Sequence, residues 1–84
     1  MQSGNPIQAP QTAPAGGSVE VKIQDTSSSV WVQVPGEPYR KVKVPKSRKI
    51  TIPVPNAPGE IIEVNVERGG TVRGVSIVIV PSTV

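Results

Sequence analysis

The stretch Thr71-Val72-Arg73-Gly74-Val75-Ser76-Ile77-Val78-Ile79-Val80-Pro81 is the most apolar run in the chain, and the rest is read from it. Between Val75 and Val80 only Ser76 is polar. All its aliphatic residues are β-branched, stiff at χ1 and suited to a pleated surface. The run reads as a strand over Thr71 to Val80 that Pro81 stops. Successive strand side chains point to opposite faces, so Val75, Ile77 and Ile79 face one way and Ser76, Val78 and Val80 the other. Val72 joins the second set if Gly74, which reads as a bulge, leaves the parity unchanged. A strand apolar on both faces needs both covered. One cover is the protein's own core. What supplies the other is the functional question.

Working backwards, Arg68-Gly69-Gly70 reads as a tight hairpin turn in which glycine supplies positive φ. Glu60 to Glu67 is then the partner strand, with Ile62, Val64 and Val66 inward and Glu63, Asn65 and Glu67 outward. Four more strands alternate in the same way. Ser18 to Gln24 turns Val19, Val21 and Ile23 inward. Val30 to Val34 turns its valines inward and Trp31 and Gln33 outward. Tyr39 to Val44 sets Arg40, Val42 and Val44 on one face and Tyr39, Lys41 and Lys43 on the other. Lys49 to Val54 turns Ile50, Ile52 and Val54 inward. Pro53 cannot donate to a ladder, which makes this last one an edge strand. Asp25–Ser29, Pro35–Pro38, Pro45–Arg48 and Pro55–Gly59 are the loops and turns between them. The expected fold is all-β: a small antiparallel β-sandwich or barrel of about six strands, immunoglobulin-like being one form of it.

Composition supports this and removes alternatives. The chain has 84 residues, with 15 Val, 8 Ile, 10 Pro and 8 Gly, and neither Leu nor Phe. Nothing reads as a long amphipathic helix. Cys and His are absent and there is a single Asp, so neither a disulfide nor a transition-metal site is expected, and no cofactor. No 18-residue apolar run exists, so no transmembrane helix or membrane role is expected. No basic and apolar leader is visible at the N-terminus, which points to a virion or the cytoplasm rather than export. Met1 to Gly17 carries no charge and Ile7 is its one large aliphatic. This composition does not order itself, so residues 1–17 are expected to form a flexible Pro/Gln/Ala-rich arm on a sandwich domain of residues 18–84. A core that small is marginal and gains from a partner or from self-association.

Catalysis finds little support, because no nucleophile–base set can be assembled. Glu63 and Glu67 share a strand face but sit ~13 Å apart along it, too far for a pair acting on one bond. Gly69 to Gly74 is followed by strand, not by the helix that a phosphate-binding loop requires. The net charge of +3 is local. Arg40, Lys41, Lys43, Lys46, Arg48 and Lys49 fall within ten residues that contain no acid, and with Tyr39 they form a candidate patch for a charged partner. Lysines on an edge also simply block aggregation. The other occupants are an acidic protein surface and, through phosphate contacts, a nucleic acid. The candidate protein interface is Ile7, Trp31, Val72, Val78 and Val80.

An uncharged Pro/Ala/Gln/Gly arm ahead of a small valine-rich sandwich resembles, in architecture, the immunoglobulin-like decoration ("cement") proteins of tailed-phage capsids. That resemblance implies a non-enzymatic virion component, docked through its arm and an apolar strand face onto a capsid or similar assembly. A basic β-barrel binding nucleic acid, or an adhesion or carbohydrate-binding module, are the other functions the residues allow.

Overall fold

The computed structural model describes residues 7–24, 26–68 and 71–82. They form eight strands: β1 (Ile7–Gln8), β2 (Thr12–Pro14), β3 (Ser18–Ile23), β4 (Ser29–Gln33), β5 (Arg40–Lys43), β6 (Lys49–Pro53), β7 (Ile61–Arg68) and β8 (Thr71–Val80). Two sheets result, a three-stranded one in the order β1-β3-β6 and a five-stranded one in the order β2-β8-β7-β4-β5. The chain is all-β, as its alternation required, and no helix in it is long and apolar enough to cross a membrane, among the described residues.

The inward rows are those the alternation selects. Val19, Val21, Ile23, Ile50 and Ile52 of one sheet meet Val30, Ile62, Val64, Ile77 and Ile79 of the other in a single core. Two packed sheets require this one-sided burial. Pro53 lies where edge placement predicts. Ile23 N–H donates to Arg48 C=O, and Val54 N–H to Gly17 C=O, at the two ends of the β3–β6 ladder. Antiparallel alternation between those ends turns the nitrogen of Pro53 to the open side of β6, where no donor is needed.

Three expectations change. The domain does not begin at residue 18, after an arm of residues 1–17. β1 pairs antiparallel with β3, Ile7 opposite Ile23, and β2 pairs parallel with β8, Ala13 opposite Ile79. Ile7 and Ala13 are 2% and 1% exposed, so residues 7–17 belong to the sandwich. Their strands are two and three residues long, and one buried side chain apiece suffices to dock them. Met1 to Pro6, the rest of the expected arm, lie outside the described residues, as do Asp25 of the first loop and the Gly69-Gly70 pair.

Gly74 is not a bulge. The β7–β8 register runs unbroken from Ile61 opposite Val78 to Arg68 opposite Thr71, with Asn65 opposite Gly74. A Cβ on Gly74 would overlap Asn65 Oδ1 and the carbonyl of Val64. Glycine is therefore set there by close approach, and the face parity of β8 holds along its length. Strand count changes as well: eight in place of about six, the two additions being β1 and β2.

Candidate protein-docking face

The register of the five-stranded sheet places its outward residues in rows. Lys41, Trp31, Asn65 and Gly74 lie opposite one another across β5, β4, β7 and β8. The next row runs Gln33, Glu63, Ser76, and a third runs Ile61, Val78, Thr12. Tyr39, one residue before β5, continues the outward parity of Lys41 and Lys43. Gly74 adds no side chain to the centre of the face, and Asn65 lies over it.

The polar groups of the face bind one another. The Tyr39 hydroxyl donates to the Glu63 carboxylate and accepts from Asn65 Nδ2 at 3.3 Å. That bond to Glu63 holds the Tyr39 phenol above its ordinary pKa, with desolvation and the Glu63 charge adding to it and the Asn65 bond opposing. Lys41 Nζ sits 6.0 Å from the centre of the Trp31 ring, within cation–π reach. Trp31 and Lys41 form a non-hydrogen-bonded pair, the kind that brings side chains closest.

Around this network the face is apolar. Among the described residues the exposed large hydrophobics are Trp31, Tyr39, Ile61, Val72 and Val78, and all five share this one surface. Val72 is 62% exposed and Val78 41%. The opposite outer surface, on the three-stranded sheet, presents Gln8, Glu20, Lys22, Lys49 and Thr51 instead. Grouped apolar exposure on one face is the mark of an interaction surface, whereas scattered exposure is ordinary.

Of the residues singled out from sequence, Trp31, Val72 and Val78 come together here. Val80 is half-buried at the β2–β8 pairing, beside Pro14. Ile7 does not take part, because it is core. Ile61 was missed, although its signal was present: it precedes the inward Ile62 and so must face outward. The six cations separate. Lys41 and Lys43 rim this apolar face. Arg40 lies on the inner side and pairs with Glu37 at 3.0 Å. Lys46 is exposed on a turn, and Lys49 stands on the other sheet opposite Lys22. Arg48 is turned inward: φ is +63°, and its guanidinium donates to Ile23 C=O at 3.3 Å and Ser27 C=O at 2.8 Å. It clasps the β3–β4 loop rather than joining a patch.

Comparison with protein-family models, with curated proteins and with solved structures returns no match. The face is therefore read on its own chemistry.

Proposed function

We propose that the chain is a non-enzymatic structural and interaction protein that docks onto a protein partner in a larger assembly through the outer face of its five-stranded sheet. One observation carries this reading: every exposed large hydrophobic among the described residues lies on that face. Trp and Tyr at the centre of such a surface are the residue types that dominate interface energetics. The polar face of the other sheet supports a one-sided attachment.

The strand order supports an immunoglobulin-like arrangement, with a first strand split between sheets, β1 antiparallel to β3 and β2 parallel to β8. The inward Trp and disulfide of antibody domains are not part of it, since Trp31 points out and the chain has no Cys. Decoration of a capsid shell is the proposed setting, on the strength of the small valine-rich sandwich and its N-terminal composition. A nucleic-acid role is less favoured by the geometry. The cations are dispersed, and a phosphate entering between Trp31 and Tyr39 would meet the Glu63 carboxylate.

Sedimentation of tagged full-length chain in extract of its natural host tests the reading. The chain is expected to travel with a large protein particle. Trp31→Ala and Val78→Glu are expected to abolish this, and Lys22→Ala on the opposite sheet to leave it intact. Retention of both outer-face variants on the particle would overturn the docking face. Release by nuclease would move the assignment to nucleic acid.

A further inference from the structure

Two strand edges lie open on one flank, β5 at the end of the five-stranded sheet and β6 at the end of the three-stranded one. Between them the sheets part over a cleft of about 370 Å³, lined by Val32, Val42, Ile50 and Ile52, with Arg40 and Glu37 exposed at its rim. Val42 is only half-buried because no strand of the smaller sheet covers it. The volume falls at the small end of ordinary ligand pockets, roughly 300–1,000 Å³. Its walls, however, are two strand edges, and that geometry suits a strand.

The two edges are not equivalent. β6 turns the nitrogen of Pro53 to its open side and lacks a donor there. β5 contains no proline. Val44 N–H donates to Ser28 C=O, which sets the alternation of the β4–β5 ladder. Val42 and Arg40 then bond toward β4, and the N–H and C=O groups of Lys41 and Lys43 point to the open side.

A strand laid along β5 would set one face of its side chains beside Lys41 and Lys43 and the other face beside Val42, over the cleft. Opposite charges across a pair of strands stabilise it and like charges do the reverse. The first face must therefore be acidic and the second apolar. A second copy of β5 would set lysine against lysine, which is how edge lysines prevent self-pairing. We infer that the β5 edge and the cleft beneath it bind an extended protein segment of alternating acidic and apolar residues, by strand addition. This site adjoins the sheet face proposed for docking and shares Lys41 and Lys43 with its rim. It needs the β5 edge and the cleft rather than Trp31, Ile61, Val72 and Val78, so Trp31→Ala and Val78→Glu test the one proposal and the peptide series the other.

The probe is a blocked nine-residue peptide of alternating glutamate and valine, titrated into the ¹³C,¹⁵N-labelled chain. Controls are alternating lysine and valine, and a scrambled glutamate/valine sequence. Saturable shifts are expected at the Lys41 and Lys43 amides and the Val42 and Ile52 methyls, with slowed exchange of those two amides, for the first peptide alone. Lys41→Glu with Lys43→Glu is expected to weaken it by about tenfold or more and to transfer binding to the lysine peptide. Both substitutions are on exposed side chains, and the discrimination among peptides by the unaltered chain stands without them. The inference is overturned by equal binding of the two charge types, which would mean an apolar cleft only. It is equally overturned by binding of the scrambled peptide, by shifts centred on Trp31 and Ile61, by dilution-dependent shifts at Lys41 and Lys43 that mark self-pairing, or by no shift.

Discussion

At the scale of single residues, position in the sheet decides roles that residue type leaves open. Gly74 carries no turn: it is glycine because Asn65 and the Val64 carbonyl occupy the space a Cβ would need. Gly74→Ala forces both strands apart and is expected to cost about 2–3 kcal/mol, read as a lower urea midpoint at unchanged slope. Sequence alone suggested a bulge, since only the register reveals that Asn65 is the opposite residue. Arg48 reads in sequence as one more cation of a run, yet its left-handed backbone and inward bonds make it a loop clasp. Tyr39 is the chain's one tyrosine, so its titration can be followed by absorbance without deconvolution. Ionising it would set a phenolate against the Glu63 carboxylate, so its midpoint is expected above the ordinary value of 10.0. Glu63→Gln is expected to bring it back down. The folded state therefore holds this proton more tightly than the unfolded one. The contribution is thus complete below the unfolded pKa of about 10 and is lost as pH rises through the folded value. A midpoint unchanged by Glu63→Gln would show that the bond is not made in solution.

At the scale of elements, legibility followed length and one-sided burial. β3, β4, β6 and β7 each bury alternate residues, so their alternation announces them in sequence. β8 was legible as a strand because of its valines and isoleucines, and its alternation already separated Ile77 and Ile79, which are buried, from Val72 and Val78, which are exposed. β1 and β2 were not legible at all. Two and three residues cannot display a period, and a segment with three prolines reads as unable to bury surface. What docks them is tertiary: Ile7 against the core beside Ile23, Ala13 beside Ile79, and backbone bonds from Val78 N–H to Gln11 C=O and Ala15 N–H to Val80 C=O. Gly16, at φ +78°, then turns the chain from one sheet to the other. A free arm and a docked one predict different outcomes for one substitution. Ile7→Ala is expected to destabilise by about 3 kcal/mol, as for other buried isoleucines. A change within about 0.5 kcal/mol, the range of ordinary surface substitutions, would return residue 7 to a free arm.

At the scale of the whole molecule, the two outer surfaces differ in character, one apolar and one polar, and this is what sequence could not supply. Alternation shows that Trp31, Val72 and Val78 face out, but only the order β2-β8-β7-β4-β5 sets them on one surface with Tyr39 and Ile61. The same order disperses six consecutive-looking cations over two sheets and a turn. A surface that keeps apolar side chains in water lowers solubility without helping the fold, because those side chains lie outside the core. Core and docking face are then separable by substitution. Val72→Thr with Val78→Thr keeps the β-branched shape that a strand favours and removes apolar area from the exposed face alone. The pair is expected to leave the unfolding free energy from urea titration within about 0.5 kcal/mol of the parent and to raise the concentration at which the chain precipitates. It should also weaken docking, so stability and binding part company in one variant. A large fall in that free energy would mean instead that the outer face of β8 is covered by the protein itself.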